Sequence, residues 1–533
     1  MVPGEICMER SERSNRGHIR KTALNMQKSA EAIVLQKQEG PNQHIRSNRR
    51  KEDSVEKAEY TGNGGCPQRD STECKGYAGA QSAVRPENGE RAVRTPKLLE
   101  RILSRDNLNN AYKRVKANKG APGVDGMTVE EALPWLKEHG RELTDSILQG
   151  KFKPDPVRRK EIPKPDGGVR KLGIPSVKDR IIQQAIAQML MPIYESLFAE
   201  GSYGYRPGRS AQDAILKIRG YGDEGYEWAV LLDLSKYFDT LNHEKLLNLL
   251  RREIDDERVI QLIKRFLKSG VMENGVVMAT EEGSPQGGPL SPLLANVYLN
   301  EFDHEYERRG VPVIRYADDI VLLCKSERAA GRLLESSIRY LEGKLKLKVN
   351  REKSHIAKLN AIKKFKFLGF AFGEGKDGLF IRAHQKSLLK AKNKLRELTR
   401  RNRGRNVRQV MAEVKRYMQG WLNYYALASM KNTMAEWNGW LRRRIRMYIW
   451  KQWKKPNTKF RNLLKLGIPE KYAFMTAYSR KGYWFVAGTT SVGRAISNER
   501  LASAGFFDLS LAYESIQSDC VGRAVYRTVR TVR

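Results

Sequence analysis

The sequence predicts an α/β (α+β) body followed by an all-helical, strongly basic segment, and three observations predict it. Between residues 97 and 375, stretches of helical period ("IIQQAIAQMLMPIYESLF", "EKLLNLLRREI", "LLESSIRYLEGKL") alternate with short β-rich runs. Those runs are "WAVLLDL", "PVIRYADDIVLLC" and "KFKFLGFAF". From about 383 to 455 the period is helical throughout, with "RRNRGRNVR" and "LRRRIR" flanking aromatic positions. The charge is lopsided as well: 98 Lys+Arg against 61 Asp+Glu, a formal net charge of +37.

Taken in order, residues 1–90 are polar, with few aromatics and little periodicity, and are expected to form a basic, disordered N-terminal arm. Folding should begin at "TPKLLERILS", with Thr95 as cap and Pro96 in the first helical turn. The mixed body then spans 91–382, the helical segment 383–455, and the tail 456–533 holds Gly-separated apolar segments without a clear period. At 533 residues the chain exceeds one ordinary core. Its uncompensated positive charge calls for a polyanionic partner, and phosphate contacts make nucleic acid the first choice. An anionic membrane surface is the alternative, but the sequence shows no apolar stretch of spanning length and no signal-peptide core, so no membrane partner is expected. The five cysteines are scattered, without a CxxC or zinc-finger spacing, which suits a reduced, cytoplasmic protein without structural zinc.

"RYADDIVLLC" (315–324) sets Asp318 and Asp319 side by side between apolar runs. A solvated turn would account for the pair on its own. A second carboxylate, Asp233, ends the apolar run Ala229–Leu232 in "AVLLDLSKYFDTLNH", where it could equally cap a helix. If two strand ends bring Asp233 and Asp318 together, their repulsion requires cations between them. Hard oxygen ligands favour Mg²⁺, and a pair of ions about 3.5–4 Å apart would suit nucleotidyl transfer. "EIPKPDGGVRKLGIPSVKDR" (161–180) offers Lys164, Arg170 and Lys171 to a triphosphate, or is a solvated basic hairpin. "GSPQGGPLSPLLANVYLNEF" (283–302) is a Gly/Pro-rich loop entering a helix, with Gln286 in reach of a nucleotide.

In order and spacing, "AVLLDLSKYFDTLNH", "GSPQGGPLSPLLANVYL" and "RYADDIVLL" resemble the central motifs of reverse transcriptases encoded within group II introns. "GAPGVDGMT", "IPKPDGGVRKLGIPSVKDR", "GYRPGRSAQDAI", "LKLKVNREKS" and "FKFLGFAF" resemble the flanking motifs, and the likeness covers about 97–460. The resemblance implies a right-hand polymerase fold: fingers and palm over 91–382 with a mixed or antiparallel palm sheet, then an all-α thumb (X) domain over 383–455. It implies that Asp233, Asp318 and Asp319 are catalytic and hold two Mg²⁺ ions, Mn²⁺ being a substitute. Phe238 becomes the steric gate against a 2′-OH, Arg170 and Lys164 the triphosphate contacts, and Gln286 a wall of the nucleotide pocket. Lys353 resembles the lysine that protonates departing pyrophosphate, although a surface lysine would look the same. Asp239 is expected to be structural.

The aromatic stripes Trp421, Tyr424, Tyr425 and Trp437, Trp440, Leu441 read as packing between antiparallel helices. Lys415, Arg442, Arg443, Arg444 and Arg446 exceed what helix solubility needs and suit an RNA backbone. "GWLNYY" with the basic helix after it resembles the maturase thumb. The expected partners are therefore group II intron RNA, an RNA template, a DNA target or primer, and dNTPs, with homodimerisation open. Many relatives end in an HNH endonuclease with paired CxxC motifs. None occurs here, so the tail is expected to contact DNA without cutting it, and the protein to associate with the bacterial nucleoid when acting on DNA. A reverse transcriptase adapted to diversity generation or phage defence, and an RNA chaperone with an inactive polymerase fold, are the competing readings.

Overall fold

The computed structural model describes residues 97–163, 168–273, 275–284, 287–376 and 378–518. The expected N-terminal arm, Thr95, Pro96, Lys164 and Gln286 lie outside these residues. The described chain begins with the helix Leu98–Ile102, entered through Lys97 in the left-handed region. It forms two compact units that interleave along the sequence. One unit holds the described residues up to Ser196, Leu250–Glu281 and residues 287–291; the other holds Leu197–Leu249, Glu282–Ser284 and residues from Pro292 onward.

The first unit is built on a mixed sheet of order β2-β1-β4-β5, from β1 (Val157–Pro163), β2 (Val169–Ile174), β4 (Val271–Glu273) and β5 (Val276–Met278). β1 pairs antiparallel with β2 and parallel with β4. Its central helix, Val177–Glu195, buries residues on every side, and Ser176 caps it by accepting from the Asp179 N–H. Asp179 itself is 1% exposed, and one of its carboxylate oxygens accepts the Asp155 N–H at 3.0 Å. Burial pushes this carboxyl up to about 7. A folded-state value above the unfolded one means stability is greatest in acid and is lost as pH rises from about 4 to about 7. Asp179→Asn should therefore melt higher than the parent at pH 8. The gap should close by about 1.4 kcal/mol per pH unit below neutrality, read by thermal melts across pH.

The second unit carries the antiparallel sheet of order β6-β7-β3-β8: β3 (Trp228–Leu232), β6 (Val313–Tyr316), β7 (Asp319–Cys324) and β8 (His355–Lys358). β3 and β7 are almost wholly buried, which explains their unbroken apolar runs. A hairpin of β9 (Phe370–Gly375) and β10 (Gly378–Ala383) leads into the helices Gln385–Leu398, Val407–Tyr424 and Lys431–Gln452. "KFKFLGFAF" thus supplies strand only in its second half. Trp437 and Leu441 join Tyr425, Leu422 and the sheet residues in one core, so the aromatic stripes pack as expected. The tail is helical, with Pro456–Lys465, Glu470–Ala477, Tyr483–Val486, Thr490–Ala495, Asn498–Ser503 and helical residues 509–518. Tyr513 ties it back by donating to the Ala428 carbonyl at 2.9 Å.

Candidate active site

β3 and β7 run antiparallel with Leu232 opposite Ile320, so one further step sets Asp233 opposite Asp319. β6 and β7 close through a two-residue turn, Ala317–Asp318, because Tyr316 pairs with Asp319. The three carboxylates therefore meet at adjacent strand ends. No helix opens at Asp233, which is followed by a short 3₁₀ turn, Tyr237–Asp239, so the capping alternative is not realised. The segment 345–354 holds Asp233 from the other side. Asn350 donates its N–H to the Asp233 carbonyl at 2.8 Å, and Ser354 Oγ accepts the Asp233 N–H at 3.1 Å. Desolvation, then the charges of Asp318 and Asp233, push the Asp319 carboxyl up to about 7, although Asp319 keeps contact with solvent. Like charges this close, all on hard oxygen donors, form a set that suits divalent cations. Among the described residues no group of three or more His, Cys, Asp or Glu side chains is arranged to hold a metal ion.

Lys353 points its ammonium at the same place, 3.9 Å from an Asp233 carboxylate oxygen, with its side chain 63% exposed. Phe238 lies on the 3₁₀ turn and is half-buried, and its carbonyl accepts the Ser284 N–H at 2.6 Å. A Cβ on Gly283 would lie 2.8 Å from the Phe238 and Asp239 carbonyls, so this approach requires glycine. The Asp239 side chain is exposed. Arg170 is exposed on β2 in the first unit. Lys171, its neighbour, lies 3.8 Å from Glu161 and 3.6 Å from Glu273, so this cation is engaged within its own sheet.

The arginines of the basic helix are also engaged within the protein. Arg442 donates to Asp508 at 2.6 Å, and Arg443 to the Trp484 carbonyl at 2.9 Å while lying 4.3 Å over that ring. Arg444 donates to the Arg396 carbonyl at 3.0 Å, and Arg446 to the Ile496 carbonyl at 2.8 Å. Three of the four reach carbonyls of neighbouring helices, two of them at helix C-terminal ends, where cations are favoured. These bonds clamp helices together, while all four side chains stay partly exposed. Lys415 stays exposed. Arg446→Ala should lower stability by about 1–2 kcal/mol in urea unfolding. Lys415→Ala should leave stability alone and reduce the salt slope of RNA binding by up to about one.

Sequence reasoning missed the supports of this site. Tyr424 donates from its hydroxyl to the Leu368 carbonyl at 2.9 Å, and Leu368–Gly369 form a turn with both residues at positive φ. Arg315, Asp303 and Asn296 form a buried polar cluster beneath the Ala317–Asp318 turn. The available signal was Asn296 and Asp303, seven residues apart and so on one face of their helix.

A carboxylate cluster on antiparallel strand ends, followed by a helical thumb, is the arrangement of a nucleotidyl-transferring polymerase. Residues 162–372 match the family model described as "Reverse transcriptase (RNA-dependent DNA polymerase)", and 388–467 match "Group II intron, maturase-specific domain". Protein YkfC of Escherichia coli K12 is 36% identical over 309 residues, covering 50% of this chain and 81% of YkfC. The group II intron-encoded protein LtrA of Lactococcus lactis is 39% identical over 209 residues, covering 39% of this chain. That match spans 34% of LtrA. A solved partial Cas6-RT-Cas1–Cas2 complex aligns over 47% of this chain and 43% of its own, at 24% identity and a TM-score of 0.31. The chain belongs to the group II intron reverse transcriptase/maturase family, a family of RNA-directed DNA polymerases that use divalent metal ions.

Proposed function

We propose that this chain copies the RNA of a group II intron into DNA and binds that RNA to assist its splicing and mobility. The observation that carries the reading is the meeting of Asp233, Asp318 and Asp319 at one end of β3 and β7, in a chain that also matches the maturase-specific domain. These three carboxylates would hold two Mg²⁺ ions, with Mn²⁺ as substitute. When bound, such ions activate a primer hydroxyl and neutralise charge on the leaving pyrophosphate. Lys353, whose ammonium lies 3.9 Å from an Asp233 carboxylate oxygen, would give a proton to that leaving group. Phe238 excludes a ribose 2′-OH, and Arg170, Lys164 and Gln286 keep the nucleotide contacts that the family resemblance gives them.

The helical segment and tail bind nucleic acid in this reading. Support comes from exposed cations, among them Lys415, Arg400, Arg401 and Arg408. In the tail, Tyr472, Phe474, Tyr478 and Phe485 are exposed beside exposed Lys471, Arg480 and Lys481, a combination suited to DNA. No helix among the described residues is long and apolar enough to cross a membrane. The test is to purify the protein from its native cells and sequence the RNA retained at moderate salt. A structured transcript that contains this reading frame supports the intron reading. A short unrelated RNA would replace it with an adapted polymerase.

A further inference from the structure

Arg315 is 0% exposed, and its guanidinium is fully engaged. It donates to Asp303 at 2.6 and 2.8 Å, to Asn296 at 2.8 Å and to Ser202 Oγ at 2.8 Å. A further bond, at 3.1 Å, goes to the carbonyl of Ala317, the residue before Asp318. Ala317 sits at φ 58, a conformation that alanine adopts only when its surroundings impose it. Those surroundings are specific. Asn296 donates onward to the Gly204 carbonyl at 2.7 Å, and a Cβ on Gly204 would lie 2.3 Å from the Ala317 nitrogen. The Arg315 backbone is fixed too, donating to the Gly201 carbonyl and accepting from the Tyr203 N–H, both at 2.8 Å.

A buried ion pair is a poor source of stability, since desolvation offsets most of the attraction. What this pair provides is direction. It joins the helix Ser291–Arg308, the 201–204 segment and the turn into one rigid seat.

We propose that Arg315 is a positioning residue for the divalent cation: by holding the Ala317 carbonyl it fixes the turn so that Asp318 and Asp319 face Asp233. The proposal rests on the reading of these aspartates as metal ligands. Outer-shell partners of this kind typically change metal affinity about 10–100-fold when removed.

The test uses the full chain, with Mn²⁺ alone as probe, followed by electron paramagnetic resonance of the free ion, and the half-saturating Mg²⁺ for primer extension as second readout. Arg315→Lys can keep one bond to Asp303 but cannot also reach Ala317 and Asn296. It should stay folded by circular dichroism, bind Mn²⁺ about tenfold more weakly, need more Mg²⁺, and regain rate at high Mn²⁺. A folded Arg315→Lys protein with unchanged Mn²⁺ affinity and Mg²⁺ requirement overturns the proposal. If that variant misfolds, the double variant Arg315→Met/Asp303→Leu, which leaves no lone buried charge, is read in the same two ways. Should it misfold as well, Asn296→Ala, which keeps the ion pair, decides: a weaker Mn²⁺ affinity supports the proposal and an unchanged one overturns it. Asp318→Ala is the control for the underlying reading. If it binds Mn²⁺ like the parent, the ligand assignment itself has failed, independently of Arg315.

Discussion

Asp318→Ala will lose primer extension by about 10³-fold or more, equivalent to about 4 kcal/mol of barrier, while keeping its affinity for RNA. The expectation follows from position. Asp318 occupies the two-residue turn next to Asp319, at the strand ends where Asp233 also lies, and its charge helps to raise the Asp319 carboxyl. Removing it takes away a proposed ligand and one of three mutually repelling charges, so the folded protein should be no less stable than the parent. RNA binding depends on shape and exposed cations remote from this turn. Primer extension with a labelled DNA primer, together with filter binding of the RNA, separates the two functions. A folded variant that lost both would refute the division of roles.

Phe238→Ala will admit ribonucleotides, lowering the preference for dNTPs over rNTPs by about 100-fold, or about 2.7 kcal/mol. The ring is half-buried on the turn after Asp233, and its backbone is held by Ser284. The lost selectivity should appear as a gain in kcat/KM for rNTPs with dNTP use reduced only a few-fold. Equal losses for both nucleotides would show that Phe238 supports the fold and does not gate the sugar.

Much of the fold and site was legible because the signals were local. β3 and β7 are almost wholly buried, so each reads as an apolar run, with the aspartates flanking those runs. The hairpin at 317–318 was legible for the same reason. The helical segment announced itself by period, and its aromatic stripes became core as expected. The interleaved units were not legible, because which segments share a core depends on contacts between distant residues. The bonds that the arginines from 442 to 446 make within the protein were not legible for a related reason. Composition records a charge but not whether a helix C-terminus is waiting for it, as Ile496 is for Arg446. Arg315 drew no reading from the sequence, because its partners Asp303 and Asn296 lie on a helix that the linear order does not bring beside it.

The grip on Asp233 also governs when the site can exist during synthesis. Its N–H and C=O are satisfied by Ser354 and Asn350, which follow it by about 120 residues, and β3 finds its neighbours only in β7 and β8. At roughly 5–20 residues per second, a ribosome needs on the order of 6–24 s to add that stretch. Until β7 and then β8 are made, the nascent strand carries its apolar residues with backbone edges unpaired, a state exposed to aggregation. Catalytic competence therefore arrives as a single late event in translation, once the 345–358 segment has emerged to close the sheet.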